Sequence, residues 1–189
     1  MKYTRSLITN AAIELFKEKG YANTSVTDIC KACGITKGTF YYHFPNKDEL
    51  TYEFYENIFN EFYAEFAGLI SIPSAKEQLW RVYEFSIDRT IELTPEVLYG
   101  LLLSDIQRGL SFFSPFYDET ADTGSSKNRR LLVELVRKGQ KEGTITPGDP
   151  ETKVMTFIAA LIGIAIAWSS NGGLFDEKEE LRKAFDTIF

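Results

Sequence analysis

Apolar side chains recur along this chain at helical spacing, and glycines and prolines divide the pattern into segments. The first apolar face is made by Ile8, Ala11, Ala12, Leu15 and Phe16. It stops at Gly20, where glycine allows the left-handed conformation that ends many helices. Because no strand-like alternation of useful length occurs, the sequence predicts an all-α fold of about nine or ten helices.

A capping signal opens the second helix, since Ser25 with Asp28 three residues later resembles a capping box. The apolar positions of this helix repeat at i, i+3, i+4 and i+7 and are Val26, Ile29, Cys30 and Cys33. Gly34 ends it, and Thr36 can cap a third, short helix that runs to about Tyr42. Two helices joined by such a short glycine-bearing turn form a helix-turn-helix.

The remaining helices are marked by caps and prolines. Asn46 and Glu49 form a second capping pair, which opens a long helix predicted over residues 47–70. A polar loop is predicted over 118–126, and further helices are predicted over 74–93, 95–113, 127–142, 150–170 and 176–189. We therefore divide the chain into a helix-turn-helix domain, residues 1–46, and a helical body, residues 47–189.

The composition is that of an ordinary globular protein, with 44% hydrophobic and 25% charged residues. The longest apolar run, residues 154–168, is shorter than the roughly 20 residues that a membrane-spanning helix needs. The first residues show no secretory pattern. We therefore expect a cytoplasmic protein with no membrane partner.

The net charge of −6 is divided unevenly along the chain. Residues 1–50 hold seven Lys/Arg against five Asp/Glu, net +2, whereas residues 51–189 hold fourteen against twenty-two, net −8. Local charge matters more than total charge for contact with a polyanion. The N-terminal segment is therefore the part of the chain suited to nucleic acid.

Residues 34–47, GITKGTFYYHFPNK, combine the features of a DNA-reading surface. Phe40 and Phe44, at i and i+4, can both face inward. Thr36, Lys37 and Thr39 then lie on the outer side of the short helix. Lys37 can donate to guanine O6 and N7, while a threonine can touch a thymine methyl or hydrogen-bond to a base edge.

Two further features of this region fit DNA. Gly38 costs a helix about 1 kcal/mol relative to alanine, and one reason to accept that cost is close approach of the helix backbone to a bulky partner. Side chains suited to phosphate oxygens surround the helix and are Thr24, Ser25, Tyr41, Tyr42, His43 and Lys47. Tyr41 fits core packing against the first helix equally well.

The segment from Thr24 to Leu50, TSVTDICKACGITKGTFYYHFPNKDEL, resembles the DNA-binding signature of the TetR/AcrR family of bacterial transcriptional regulators, and the resemblance covers roughly residues 4–55. It implies that Thr36, Lys37, Gly38 and Thr39 face bases with Thr27 near them, and that Tyr41, Tyr42, His43 and Lys47 hold phosphates. The reading face lacks Arg, Asn and Gln. Lys37 is therefore the one strong base reader, and the operator sequence is poorly constrained.

A dimer is expected because one recognition helix touches only a few base pairs, whereas a dimer spans two half-sites of a palindromic operator. Small residues recur at a spacing of four in the apolar helix after Pro150 and are Ala159, Gly163 and Ala167. Family members are similar in pairing their last two long helices across the dimer, a place that 127–142 and 150–170 occupy here. The first of these two segments, 127–142, contributes Leu131, Leu132 and Leu135 to the predicted dimer surface. Alternatively, the small residues pack inside one subunit.

Aromatic residues concentrate between the DNA-binding segment and that predicted bundle. Most suit core packing, but small-molecule pockets are also mostly apolar with a few polar anchors. The resemblance implies a pocket for a hydrophobic or aromatic effector. Such an effector would bind better to the conformation whose two DNA-binding segments are wrongly spaced, and would thereby release a repressor from its operator. Candidate walls and anchors are Trp80, Tyr83, Phe112, Phe113, Asp105, Gln107 and Arg108.

Two other classes of function fit parts of the sequence. Cys30 and Cys33 form a CxxC that suits a thiol-based redox sensor, in which oxidation distorts the second helix. One CxxC and one histidine cannot complete a four-ligand zinc site within the chain, so no metal or cofactor is expected. Catalysis needs partnered His, Cys or carboxylate groups, and the single histidine lies in the DNA motif, so an enzyme is not expected.

Overall fold

The computed structural model of the chain describes residues 5–64, 66–107 and 124–189, and these residues contain helices and turns but no strand. The α-helices in those ranges are α1 (Arg5–Lys19), α2 (Val26–Cys33), α3 (Lys37–His43), α4 (Glu49–Ala64), α5 (Ala75–Ile91), α6 (Pro95–Gln107), α7 (Gly124–Glu142), α8 (Pro150–Ser170) and α9 (Glu177–Ile188). The predicted all-α fold is confirmed. We call α1–α3 the head and α4–α9 the body.

Side chains cap the helices of the head where the sequence indicated. Ser25 Oγ accepts a hydrogen bond from Asp28 N at 3.2 Å, and the Asp28 carboxylate accepts one from Ser25 N at 3.0 Å. Gly34 ends α2 with φ of 65°, in the left-handed region. Thr36 Oγ1 caps α3 by accepting from Thr39 N at 3.1 Å. These local contacts fix both ends of α2 and the start of α3.

Two helix boundaries within the described residues differ from the prediction by more than two residues. The long helix predicted to residue 70 ends at Ala64, and a 3₁₀ helix, Phe66–Ser71, follows it. Gly68 lies in that segment, and glycine is a poor α-helix former. α7 begins at Gly124, inside the predicted loop 118–126. The rest of that loop and the predicted end of α6 lie outside the described residues.

Two adjoining clusters of buried side chains hold the helices together. The first fills the head and continues into α4, α6 and α8, and includes Ile8, Phe16, Phe40, Phe44, Leu50, Val97, Leu101 and Trp168. The second fills the body and includes Ile58, Leu79, Tyr83, Leu132, Phe157 and Phe185. Phe40 and Phe44 are fully buried, as predicted. The division proposed at residues 46 and 47 therefore runs through a shared core.

α8 is the apolar helix that the sequence predicted over residues 150–170. With 21 residues and a mean hydropathy of 1.7 over its most apolar window, α8 is long and apolar enough to cross a membrane. The short apolar run at residues 154–168 therefore does not by itself exclude a membrane-spanning helix. In this fold α8 packs against α6, α7 and α9 and buries Val154, Phe157 and Trp168. It is a core helix of the body with another face exposed, formed by Ala159, Gly163 and Ala167.

Candidate DNA-binding surface and effector cavity

The outer face of α3 presents the predicted base-reading residues together. Thr36, Lys37 and Gly38 are exposed, and Thr39 beside them is half-buried. The Thr36 and Thr39 hydroxyl oxygens lie 3.0 Å apart, so both side chains are held in one arrangement. Phe40 on the opposite face is fully buried. α3 is thus a helix with one face fixed in the core and the other free to enter a groove.

Nothing among the described residues requires glycine at position 38. A Cβ atom added to Gly38 would meet only Thr36 Oγ1, at 3.6 Å, which is an ordinary van der Waals contact. The position is helical, so any L residue fits its backbone. A side chain there would extend into the space outside α3. The absence of a side chain therefore favours close approach of α3 to a partner, as the sequence indicated.

The residues predicted to contact phosphates differ in accessibility. Tyr42 is 84% exposed and Tyr41 is 51% exposed, which does not favour a core role for Tyr41. His43 is half-buried, and its ring packs edge-on against Tyr42 with the ring centres 5.1 Å apart. Ser25 is exposed, although its hydroxyl takes part in the α2 capping box, and Thr27 is half-buried. Ser25, Tyr41 and Tyr42 are therefore open to solvent, and His43 and Thr27 are partly so.

Thr24 was predicted to contact a phosphate, but the structure does not place its side chain on this surface. Its side chain is only 1% exposed. Thr24 Oγ1 lies 2.9 Å from the carbonyl oxygen of Gly20 and 3.3 Å from that of Leu15. Carbonyl groups in the last turn of a helix lack partners within the helix. The Thr24 hydroxyl therefore completes the end of α1 and is not available to DNA.

Lys47, another predicted phosphate contact, points into the fold. Its ammonium donates to the carbonyl oxygens of Tyr21 and Thr24 at 2.8 and 3.2 Å. The ammonium nitrogen also lies 4.1 Å from the centre of the Tyr21 ring. Burial lowers the pKa of this ammonium. With two of its three N–H groups occupied, Lys47 joins the α1–α2 turn to the start of α4.

Tyr21 connects the head to α4 and α6. Its hydroxyl donates to the Asp48 carboxylate, and its oxygen lies 3.2 Å from Ser104 Oγ on α6. Burial, followed by the hydrogen bond to Asp48, raises the pKa of Tyr21. Gly100 leaves room for this side chain, because a Cβ there would lie 2.7 Å from Tyr21 Cβ. α6 therefore lies directly against the α1–α2 turn.

Arg5 is a residue of this region that sequence reasoning missed. Its guanidinium donates to the backbone carbonyl of His43 and to the Glu53 carboxylate, the latter at 2.7 Å. The same group lies 4.4 Å from the centre of the Phe44 ring. Its partners are 38 and 48 residues away in the sequence, so no local pattern signals the contact. Arg5 fixes the C-terminal end of α3 against α1 and α4.

A cavity of about 80 Å³ lies in the body, lined by residues of α4, α5, α6, α7 and α8. Its walls are mainly apolar and include Ile58, Leu98, Leu102, Leu132, Ile158 and Ile162. The polar side chains among the described lining residues are Tyr55, Tyr83, Ser86, Thr90 and Asn128, and none of the described lining residues is charged. The cavity is smaller than the roughly 300–1,000 Å³ of most small-molecule pockets.

The predicted effector residues are only partly found at this cavity. Tyr83 lines it, whereas the Trp80 ring lies elsewhere and packs against Phe185 with the ring centres 5.2 Å apart. Asp105 is buried outside the described lining, and Gln107 is exposed. Trp80, Asp105 and Gln107 are therefore not among the described lining residues of this cavity, and their contact with an effector stays a prediction. The other three fall outside the described residues and are Arg108, Phe112 and Phe113.

The predicted dimer residues on α7 also need correction. Leu132 and Leu135 are 1% and 8% exposed, because the apolar face of α7 is used inside the subunit. Leu131 is half-buried. On α8, a Cβ added to Gly163 would have no atom within 4 Å, so the subunit itself does not fill that face. Within the described residues, the exposed candidates for a dimer surface are Ala159, Gly163 and Ala167.

The two cysteines lie within the head. Cys30 is buried in its core, and Cys33 is half-buried. Burial raises the pKa of both thiols. A raised pKa disfavours the thiolate, which is the reactive form. The structure thus gives no support to the redox alternative. No group of three or more His, Cys, Asp and Glu residues suited to a metal ion occurs in the described ranges.

Known proteins resemble the chain in sequence, most closely at the head. The profile of the bacterial regulatory proteins of the tetR family matches residues 8–53. The HTH-type transcriptional repressor KstR2 of Mycolicibacterium smegmatis is 22% identical over 170 residues, which cover 89% of this chain and 80% of that protein. The biofilm operon icaADBC HTH-type negative transcriptional regulator IcaR of Staphylococcus epidermidis is 47% identical over 55 residues, 29% of this chain and 30% of that protein.

The whole fold also has a solved counterpart. The TetR family transcriptional repressor FadR of Thermus thermophilus, crystallised with lauroyl-CoA, superposes with a TM-score of 0.73 at 20% identity. The match covers 98% of this chain and 93% of that protein. At this identity the likeness shows a shared fold. The family match over residues 8–53, together with the exposed face of α3, identifies a DNA-binding head of the tetR type and indicates a DNA-binding transcriptional regulator.

Proposed function

We propose that this protein is a homodimeric repressor that binds a palindromic operator through α3 and leaves it when a small apolar effector occupies the cavity. The observation that carries the proposal is the outer face of α3. There, Thr36, Lys37 and Gly38 are exposed together, while Phe40 and Phe44 anchor the opposite face in the core. A rigidly held helix with polar side chains and an open backbone suits the major groove.

The proposed contacts divide into base reading and phosphate positioning. Lys37 donates to guanine O6 and N7, and the neighbouring threonines touch thymine methyls or base edges. The base-reading group is Thr27, Thr36, Lys37, Gly38 and Thr39. The donors around α3 position the head on the backbone and are the exposed Ser25, Tyr41 and Tyr42 and the half-buried His43.

The dimer is proposed to form through the exposed small-residue face of α8. Ala159, Gly163 and Ala167 lie four residues apart on that face and let a second helix approach closely. The space around Gly163 is open in the single subunit. A two-fold pair would place the two α3 helices on half-sites about 34–36 Å apart, in successive major grooves of one operator. The proposed place of action is the cytoplasm.

Effector release is proposed to pass through α4 and α6, since both helices contact the cavity and the head. Leu98 and Leu102 of α6 line the cavity and also belong to the core shared with the head. From the same helix, Ser104 reaches Tyr21 in the α1–α2 turn. An effector that binds more tightly to a conformation with a different spacing of α4 and α6 shifts the protein toward that conformation. Operator affinity then falls by an amount set by the difference between the effector's affinities for the two conformations. FadR with bound lauroyl-CoA shows that a protein of this fold holds a small molecule.

The experiment that tests this function is selection from a pool of random DNA duplexes at low and high salt, followed by sequencing of the retained fraction. We expect an inverted repeat whose affinity falls steeply as salt rises, because phosphate contacts release counterions. Failure to enrich any sequence at low salt would contradict sequence-specific binding. Enrichment of a single half-site without its repeat would contradict the dimer on a palindrome.

A further inference from the structure

We infer that the cavity recognises an uncharged, mostly apolar ligand, or ligand segment, with one hydrogen-bonding group, and that Tyr83 and Asn128 hold that group. This inference rests on the proposed function, because it names the chemical class of the effector. It deepens that function by assigning two recognition residues, one on α5 and one on α7.

Two buried polar atoms of residues at this cavity have no hydrogen-bond partner among the described residues. Tyr83 and Asn128 are each 5% exposed, and both line the cavity. The hydroxyl oxygen of Tyr83 and Oδ1 of Asn128 have no hydrogen-bond partner among the described residues. A buried polar atom that is left unpaired destabilises the fold, because it has lost its hydrogen bonds to water. Because both residues line the cavity, we expect a ligand there to supply the partner of these atoms.

The two groups differ in hydrogen-bonding character. A tyrosine hydroxyl donates and accepts, whereas the Oδ1 atom of asparagine only accepts. Burial raises the pKa of Tyr83, so its hydroxyl keeps its proton. A ligand hydroxyl can accept from Tyr83 and donate to Asn128. An ionised carboxylate has no proton for Asn128 and would lose its hydration beside a wall whose described residues include no cation.

A cationic ligand is the stronger competitor, because acidic groups lie behind the wall. Tyr55 lines the cavity and interacts electrostatically with Asp105 of α6 and Glu177 of α9. Neither carboxyl group belongs to the cavity lining. An ammonium group inside would therefore lose its water without a direct ion-pair partner among the described lining residues. The balance favours a neutral ligand, and an amine probe tests it.

Cavity size sets the choice of probes. A cavity of about 150 Å³ lined by Leu, Ile and Phe holds benzene or xenon, and this cavity of about 80 Å³ is smaller. A branched four-carbon alcohol, isobutanol, matches the expected class. Isobutyrate and isobutylamine carry the same carbon skeleton with a negative or a positive charge. Xenon fills apolar space without hydrogen bonds.

Binding is measured by NMR titration of the full chain with each probe, following the methyl signals of Ile58 and Leu132 in the cavity wall. We expect isobutanol to bind saturably and at least about tenfold more tightly than either charged analogue. Tyr83→Phe and Asn128→Leu should each weaken isobutanol about fivefold, which corresponds to one neutral hydrogen bond, and leave xenon unaffected. Tyr99→Phe removes the hydroxyl of an exposed tyrosine and serves as the matched control. Tighter binding of isobutylamine or isobutyrate would overturn the inference.

A stability measurement separates ligand recognition from a structural role. The Tyr83 ring packs against Phe157 with the ring centres 4.4 Å apart, a contact that phenylalanine preserves. If the hydroxyl waits for a ligand, Tyr83→Phe leaves the ligand-free protein equally stable or more stable. A lower midpoint of chemical unfolding would mean that the hydroxyl already has a partner, such as an ordered water, and would overturn the inference.

Operator binding distinguishes failure of the inference from failure of the proposed function. If isobutanol binds through Tyr83 and Asn128, but neutral alcohols of increasing size leave operator affinity unchanged, the inference stands and effector release fails. If a compound that releases the operator acts equally on the wild type, Tyr83→Phe and Asn128→Leu, the repressor function stands and the inference fails.

Discussion

The ammonium group of Lys47 lies 4.1 Å from the centre of the Tyr21 ring and donates a 2.8 Å hydrogen bond to the Tyr21 carbonyl oxygen. The family signature led us to expect this lysine on a phosphate. In the structure its charge instead lies between the α1–α2 turn and the start of α4. Because Tyr21 also contacts Asp48 and Ser104, the positions of α4 and α6 are coupled to the head at this residue.

Replacement of Lys47 by methionine should therefore destabilise the fold. The carbonyl groups of Tyr21 and Thr24 lose their donor, and we expect the free energy of unfolding to fall by about 1–3 kcal/mol. Operator affinity should fall as the fold is destabilised. The slope of log affinity against log salt concentration should stay unchanged, because no phosphate contact is lost. Denaturant unfolding and binding at several salt concentrations measure both effects.

Lys37→Met provides the matched control, because Lys37 is exposed on α3. We expect its unfolding free energy to stay within about 0.5 kcal/mol of the wild type. Affinity for the selected operator should fall by about 1–3 kcal/mol, with relaxed preference at one base position. If Lys47→Met instead lowers the salt slope by about one and leaves stability intact, Lys47 is a phosphate contact.

Gly38→Ala should separate stability from DNA affinity. Alanine is the better helix former by about 1 kcal/mol, and the site has room for a Cβ, so the unfolding midpoint should rise. Operator affinity should fall because the methyl group separates α3 from the groove. Unchanged operator binding by Gly38→Ala would show that close approach at this residue is not needed.

A bulky side chain on the exposed face of α8 should break the proposed dimer. Gly163→Leu fills space that a partner helix would occupy. We expect the dissociation constant of the dimer, measured by analytical ultracentrifugation, to rise at least tenfold and operator binding to weaken. Glu18→Leu adds the same side chain at an exposed position of α1 and controls for new apolar surface. Retention of the dimer by both variants would place the interface elsewhere.

Glu177 should make stability depend on pH. It is 3% exposed, and burial raises its pKa to about 7 from an ordinary value of 4.5. The folded state therefore holds this proton more tightly, and stability from this group declines as pH rises from 4.5 to 7. Glu177→Gln should match the wild type near pH 4.5 and exceed it by about 2 kcal/mol at pH 8. The exposed Glu179→Gln on the same helix should give no such gain.

The raised pKa values of Cys30 and Cys33 predict insensitivity to mild oxidants. We expect hydrogen peroxide to leave operator affinity unchanged in the wild type and in the Cys30→Ala, Cys33→Ala double variant. Affinity measured with and without oxidant checks this. An oxidant effect present in the wild type and absent from the double variant would instead support the thiol-based sensor.

The sequence predicted those features that depend on neighbouring residues. The Ser25–Asp28 box and the Thr36 cap each span three residues, so a local pattern reveals them. By contrast, Lys47 finds its acceptors 26 and 23 residues away, and its direction depends on how the helices pack. Leu132 shows the same limit. The sequence revealed the apolar face of its helix, but the position of Leu132 at the cavity depends on how the neighbouring helices pack.

Thr24 shows a related limit. Its type and its position beside the recognition segment suit a phosphate contact, yet the structure buries it against the end of α1. A threonine hydroxyl serves a backbone carbonyl and a phosphate by the same chemistry. Only the path of the chain after Gly20 determines which partner it has.

The core shared by the head and the body limits how this regulator can be given a new DNA target. Phe16 and Phe40 of the head lie in one cluster with Leu101 and Trp168 of the body. Grafting the head of a relative would place foreign side chains against α6 and α8, and mismatched volumes in a core cost several kcal/mol, about 2–5 for a single large-to-small change. Retargeting is therefore better confined to the solvent-facing positions of α3, with the buried face left as it stands.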